Sequence, residues 1–477
     1  MKGKWFLVVS VVLFTCLIAY RAVVIPMTHD EASTWLNFRH YNLWSCISNY
    51  YCWQSANNHW LNSLLMQWSA SLLGDSAFAL RLPNVLAGSL YFLAAALMAY
   101  RYIHTSWLQI TGFLLLCAHV YLLDFFSLCR GYGLVSCGMI WGAYTIMRYG
   151  EMFQFRWVVA CVLILFLSVA SNFTAILPFM SMGLVWFGMV VIKKRYVLLL
   201  KHGFVWLLAS GLLGILLAYP FRIFRSEGEL EWGSKNLWVL STDLAGNLLY
   251  GVQYGLDNAA SLLVFTFVLL LCLAALFVLM SYSLNSKRPM LLSLGLLVVN
   301  LAIIYLFQKL TGSSMPLGRK SVYLIPIIFS PLALVLGFVK QKIVGILVGV
   351  IVSGLLLFHT FLSLSWRDVR EWYYDAYYPE LFSMIRPSHH ADDSIRLGSS
   401  WIFYPSLAYY QQAGKIPLSG LAYQRPLSID PTVDYYFVET SDSTGMHGQG
   451  FALEKKIGPF FLFKKMAVSA LPIDGDN

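Results

Sequence analysis

The chain has 477 residues, of which 58% are hydrophobic and only 12% charged, against roughly 25% charged residues in an ordinary soluble domain. That balance argues against a soluble globule. The net charge of +10 does not indicate nucleic acid either, because the basic residues stand in twos and threes between apolar runs and form no stripe interleaved with aromatics.

Apolar runs recur from Trp5 to Leu364, each long enough to cross a hydrocarbon core of roughly 30 Å as a helix. The first follows Lys2 and Lys4 but has no small-residue cleavage site before Thr28-His29-Asp30, so it reads as a retained helix and not a signal peptide. Eleven crossings are expected, over residues 5–26, 79–100, 106–126, 131–147, 157–171, 173–192, 202–220, 257–280, 289–308, 321–339 and 343–364. With the N-terminus in the cytoplasm, the inner loops collect Lys2, Lys4, Arg101, Arg148, Arg156, Lys193, Lys194, Arg195, Lys201, Lys287, Arg288, Lys340 and Lys342, as the positive-inside rule asks. The outer side still carries Arg21, Arg39, Arg81, Arg130, Arg222, Arg225, Lys235, Lys309, Arg319 and Lys320. These cations either meet an anionic partner or snorkel to lipid headgroups.

Three outer segments are long: 27–78, 221–256 and the tail from 365. The first holds two expected helices, Glu31 to His40 and Asn58 to Leu73, the second with Leu61, Leu64, Leu65, Trp68 and Leu72 at helical spacing. Both are expected to lie flat on the membrane surface. In the tail charges become frequent, and strand-like runs stand at Ser394–Trp401, Tyr435–Glu439 and Phe460–Lys464. The expected organisation is a transmembrane domain over 1–364, including outer loop 27–78, and a small extracytoplasmic α/β domain over 365–477. The eight cysteines show no metal-ligand spacing. Cys46 and Cys52 share a polar loop, where they are either bonded or two free thiols.

Asp30 and Glu31 follow Pro26, where the first helix leaves the bilayer, at the depth of a lipid phosphate. A carboxylate there, partly desolvated by aromatics, has the chemistry of a general base toward a hydroxyl. An N-cap and first-turn acid for the next helix is the alternative. Asp124 lies near the outer end of an apolar run, where an unpaired carboxylate is costly. Arg130, six residues on, is its expected ion-pair partner. Arg319 and Lys320 follow Gly312, Pro316 and Gly318, and the pair suits a phosphate or diphosphate held by a mobile loop. The pair His389-His390 with Asp392-Asp393 reads as a solvated loop, so no metal site is expected.

Four strings in order carry a resemblance: His29-Asp30-Glu31-Ala32, Asn57-Asn58-His59-Trp60-Leu61-Asn62, Ala79-Leu80-Arg81-Leu82-Pro83 and Phe126-Ser127-Leu128-Cys129-Arg130-Gly131-Tyr132. They resemble the membrane glycosyltransferases related to protein O-mannosyltransferases and the aminoarabinose transferase of lipid A, within the GT-C fold class. The motifs cover roughly residues 1–175. The resemblance implies a mainly α polytopic membrane fold and a polyprenyl-phosphate sugar donor, a hydroxyl acceptor on a glycan, lipid or protein, and no cofactor. It also implies Asp30 as catalytic base with Glu31 beside it and Arg81 facing the carrier phosphate, with snorkelling as the alternative for Arg81. His59, with Asn58, either orients the acceptor or donor sugar by hydrogen bonding or is a loop histidine satisfied by backbone. Asp124, Arg130, Arg319 and Lys320 complete the expected substrate-binding set. Leu128 stands where related sequences often carry an acid.

The expected reaction is attack by an acceptor hydroxyl on the anomeric carbon, with Asp30 taking the proton and outer arginines stabilising the leaving phosphate. Single displacement inverts that carbon. A lipid-linked-sugar transporter or flippase is the competing reading, but it should place charges at mid-membrane and show two related halves. A membrane scaffold leaves the cluster around Asp30 without a task.

Overall fold

The computed structural model describes residues 2–48, 58–252, 254–256, 258–281, 284–385, 395–414, 416, 418–422, 427–446 and 449–466. In chain order the helices are α1 (Lys2–Val24), α2 (His29–Phe38), α3 (Leu43–Ser48), α4 (Trp60–Leu73), α5 (Ala77–Tyr102), α6 (Ser106–Cys117), α7 (Val120–Phe126), α8 (Gly131–Met152), α9 (Phe155–Ser171) and α10 (Ile176–Ile192). They continue with α11 (Val197–Ser226), α12 (Leu237–Leu248), α13 (Ala259–Ser281), α14 (Leu284–Thr311), α15 (Leu324–Val335), α16 (Lys342–Ser363), α17 (Tyr378–Ile385), α18 (Tyr404–Gln412) and α19 (Thr440–Ser443). Two compact units result: Met1–Val23 with His40–Gly74 and Phe78–Ser365, and Val24–Arg39 with Asp75–Ala77 and Trp366–Asn477.

The first unit is a helical bundle, and each of the eleven expected spans falls on helix. Among the described residues six stretches are long and apolar enough to cross a membrane alone: Gly3–Val24, Ala77–Tyr102, Phe173–Ile192, Val197–Ser226, Arg288–Thr311 and Lys342–Ser363. The run at 106–126 is not one straight helix but α6 and α7, bent by 68°. Between them Ala118 and His119 leave helical geometry, and the His119 ring donates to the Leu115 carbonyl at 2.7 Å, satisfying an acceptor at the helix end. Phe155–Ser171, Ala259–Leu273 and Leu324–Phe338 are shorter apolar helices. In α5, Pro83 has no N–H for the Ala79 carbonyl, and the Ser69 hydroxyl donates there instead. On α4 the expected apolar stripe divides: Leu64 is buried, while Trp68 and Leu72 are exposed.

The second unit is built on a five-stranded sheet of β1 (Ile395–Ser399), β2 (Leu418–Ala422), β3 (Tyr435–Val438), β4 (Phe451–Ile457) and β5 (Phe460–Lys465), in the order β2-β1-β3-β5-β4. Strand β1 runs parallel to β2 and β3, and β5 runs antiparallel to β3 and β4. The central strand β3 alternates into two cores. Tyr435 and Phe437 pack with Leu381, Phe403 and Leu462, whereas Tyr436 and Val438 pack with Val433, Met446 and Phe463. The three expected strand runs are β1, β3 and β5. Both edge strands escaped, and β4 shows why: only Phe451 and Ile457 at its ends are buried, with Glu454, Lys455 and Lys456 exposed between them.

Helix α2 packs within the second unit. Its Trp35 is fully buried against the edge of Tyr409 on α18, at 5.1 Å between ring centroids. The Trp35 indole donates to the Asp75 carboxylate at 3.1 Å, and the Tyr409 hydroxyl donates to the Asp75 carbonyl at 2.7 Å. Just before α2, the Met27 N–H donates to the Tyr410 hydroxyl at 2.8 Å.

With the N-terminus cytoplasmic and an odd number of crossings, the second unit is expected outside. A cysteine at Ser441, exposed on α19, should react with an impermeant maleimide in intact cells. Reaction only after lysis would reverse the orientation.

Candidate functional site

In the bundle unit, the second and fourth strings meet through buried polar side chains. Asn84, just beyond the third string, donates to the Asn62 side-chain oxygen at 2.8 Å, and the Asn62 amide donates to the Cys129 carbonyl at 3.1 Å. Arg130 donates to His59 Nε2 at 3.1 Å. Because a guanidinium only donates, Nε2 must be the acceptor, and the proton sits on Nδ1. A hydrogen bond to the Ser171 backbone opposes the shift, but burial, then Arg130 and Arg319, hold the His59 pKa well below the usual range. The ring is therefore neutral at physiological pH. Gly131 is required beside it, since a Cβ there would collide with the Ser171 carbonyl and press on the His59 ring. Tyr132 closes the cluster edge-on to His59 at 4.9 Å. Asn58 has a supporting place: it donates to the Cys46 carbonyl at 2.9 Å and accepts from Ser63 at 3.2 Å, tying α3 to α4.

Arg81 is fully buried and donates to the Ala22 carbonyl at 3.1 Å, in the last turn of α1, where carbonyls lack helical partners. Asp124 forms a salt bridge to Arg21 at 2.7 Å, with both side chains almost completely buried. Asp124 also accepts from the Tyr250 hydroxyl at 2.7 Å, and Arg21 donates to the Ser365 carbonyl at 3.2 Å. The ion pair thus fastens α1, α7 and the segments around Tyr250 and Ser365 to one another.

Arg319 and Lys320 line a cavity of about 460 Å³ within the bundle unit. Its walls are mostly apolar, including Phe173, Leu177, Leu217, Phe221, Phe224 and Phe307, and Tyr132, Asn172 and Glu229 add polar edges. The cations sit on the 3₁₀ turn Gly318–Ser321. That turn is held where Asp243 accepts from the Gly318 N–H at 2.7 Å, and Gly318 has φ +54°, which favours glycine. Burial, then Arg319, lower the Lys320 pKa, while Glu229 acts against them. Asn172, also in the lining, accepts from the Thr174 N–H and hydroxyl, which starts the 3₁₀ turn Phe173–Ala175.

In the second unit, Asp30 and Glu31 occupy the first turn of α2, and both are buried. The N-cap is Thr28 and not Asp30. Glu31 is committed to that cap, accepting from the Thr28 N–H at 3.1 Å and hydroxyl at 2.9 Å. Sequence reasoning missed Asp375. Its carboxyl accepts from the His29 N–H at 2.8 Å, the Tyr378 hydroxyl at 2.7 Å and the Ser406 hydroxyl at 3.2 Å. Burial outweighs these bonds and, with help from Glu31, pushes its pKa up to about 8. The folded chain therefore binds a proton that the unfolded chain releases above about pH 4, and this contribution to stability is lost as pH rises toward 8. The only local signal was an acid inside the aromatic run Trp372-Tyr373-Tyr374-Asp375-Ala376-Tyr377-Tyr378.

Cys52, Asn57, His389, His390, Asp392 and Asp393 lie outside the described residues. Among the described residues no group of three or more His, Cys, Asp or Glu is arranged to hold a metal.

No protein-family model and no curated protein sequence matches the chain. Its likeness is structural. The crystal structure of ArnT from Cupriavidus metallidurans in the apo state aligns over 96% of this chain and 97% of that one, at 12% identity and a TM-score of 0.50. ArnT from Cupriavidus metallidurans bound to undecaprenyl phosphate aligns over 98% and 99%, at 14% identity and a TM-score of 0.51. The chain has the GT-C fold. Coverage near the full length of both chains extends that fold to the α/β unit as well as the helical bundle.

Removing one partner of the buried Arg21–Asp124 pair leaves a charge stranded, at a cost of roughly 3–5 kcal/mol. Asp124→Ala should therefore lower the unfolding midpoint of the detergent-solubilised protein sharply, and Arg21→Met with Asp124→Leu should recover much of the loss. Equal midpoints for the single variant and the parent would show that the pair contributes little.

Proposed function

We propose that the protein is a membrane glycosyltransferase that moves a sugar from a polyprenyl-phosphate carrier to a hydroxyl acceptor at the outer membrane face. The observation that carries this reading is the cavity, in which apolar walls suited to a prenyl chain meet two cations suited to a phosphate. The GT-C fold supports it, as does undecaprenyl phosphate in the similar ArnT structure.

In this reaction the acceptor oxygen attacks the anomeric carbon, the bond from that carbon to the phosphate oxygen breaks, and the carrier phosphate leaves. Asp30 takes the acceptor proton. Arg319 and Lys320 neutralise the charge growing on the phosphate, and a turn already fixed by Asp243 spares the reorganisation that would weaken that effect. Arg130, held by neutral His59, adds positive potential near Arg319, which acts on the same histidine. Glu31 serves the helix cap, and Asp30 is the acid of the pair assigned to proton transfer.

If Arg319 and Lys320 hold a lipid phosphate, neutral replacement of either should weaken binding of undecaprenyl phosphate to the purified protein by about 10- to 150-fold, the equivalent of one charge-assisted hydrogen bond. Unchanged affinity in both variants would return the two residues to interfacial snorkelling.

Asp30→Asn tests the base. Loss of a proton acceptor in the transition state costs roughly 10²- to 10⁴-fold in turnover. The variant should insert, fold and bind carrier while losing sugar transfer, followed by mass analysis of the glycans and lipid-linked sugars that change when the protein is absent. Transfer near the parent rate would remove Asp30 from the mechanism.

A further inference from the structure

The start of α2 is gripped from two sides by its own unit. The His29 N–H donates to Asp375 at 2.8 Å, and the His29 ring donates from Nδ1 to the Ile402 carbonyl at 2.7 Å. The next residue along the helix is Asp30. His29 occupies the first helical position after the Thr28 cap, so its N–H is one of the four donors that a helix leaves without an internal partner. Asp375 meets that donor from more than 340 residues away, while binding Tyr378 on α17 and Ser406 on α18 through its other oxygen.

A residue needed only to fasten these elements has no reason to be an acid. The side chain is almost fully buried, and burial of a carboxyl is costly enough to keep it largely protonated near neutral pH. An amide offers an oxygen at lower cost. The carboxyl differs in placing an oxygen on each side, one toward the His29 N–H and the other toward Tyr378 and Ser406, whereas an amide must turn its NH2 toward one set of these donors. The ionisable and polar groups around it are Glu31 and His29 from α2, Tyr378 from α17 and Ser406 from α18. Any shift of Asp375 is passed directly to the backbone amide preceding Asp30.

We propose that Asp375 is a positioning residue for the transfer reaction, locking the first turn of α2 so that the Asp30 carboxylate is held in its reactive orientation. This rests on the reading of Asp30 as general base. It makes the α/β unit a working part of the catalytic machinery, because the element that carries the base takes its position from that unit's core.

The test uses the full-length protein and, as donor, the polyprenyl-linked sugar pool extracted from membranes of cells lacking it. Asp375→Asn should lower kcat by about tenfold or more with KM for the donor nearly unchanged, and Asp375→Glu should recover part of the loss. His29→Pro provides a second route, because proline is favoured at a first helical position and deletes only the N–H from the backbone. The extended Thr28 that precedes it is compatible with proline. His29→Ala removes the ring and keeps the N–H, so a kcat for His29→Pro several-fold below that of His29→Ala isolates the contact to Asp375. Equal kcat for these two variants, with Asp375→Asn at the parent rate, overturns the proposal while an inactive Asp30→Asn keeps the base. An active Asp30→Asn, or a parent that transfers no sugar, overturns both.

Discussion

A guanidinium can be buried among apolar helices only where acceptors are waiting, because it carries five donors and never loses its charge. Among the described residues of the bundle three are completely buried: Arg21, Arg81 and Arg130. Each meets an acceptor on another element. Arg21 takes the Asp124 carboxylate on α7, Arg81 the Ala22 carbonyl at the end of α1, and Arg130 the neutral His59 ring before α4. Sliding any of these helices by a residue would strand a charge, so the three contacts set the register in which α1, α4, α5, α7 and α8 pack. Apolar side chains alone slide past one another at far smaller cost.

A second group of cations stands at a cavity wall. Arg319 and Lys320 lie on a turn held by Asp243, which accepts from the Gly318 N–H, and Lys320 donates to the Trp232 carbonyl. Glu229 shares that lining and opposes the lowering of the Lys320 pKa. An apolar cavity with cations at one edge suits the chemistry of an amphipathic anion, a long hydrocarbon ending in phosphate.

The carboxyls of the second unit divide in a parallel way. Glu31 closes the cap of α2, and Asp375 ties the first amide of that helix to α17 and α18. Each supports the turn that displays Asp30, whose own side chain is not the cap. The acid at the centre of the proposed chemistry is thus flanked by two acids that do structural work.

Much of the fold was legible in the sequence because hydropathy accumulates along the chain. Each expected crossing fell on helix, and β1, β3 and β5 were visible where strand residues are buried on one or both faces. The strings around His59 and Arg130 also meet in space, where Arg130 donates to the His59 ring and Asn62 to the Cys129 carbonyl. What the tertiary structure alone decided were the partnerships across long separations. Nothing local pairs Asp124 with Arg21, nor assigns α2 to a unit that also takes Asp75–Ala77 and Trp366–Asn477, nor links His29 to Asp375. Edge strand β4 was hidden for the complementary reason, that its middle faces solvent and its few apolar residues leave no alternation. Local pattern reports which surfaces must be buried, but the choice of surface that buries them belongs to the whole chain, because a buried charge is satisfied by geometry and not by nearness in sequence.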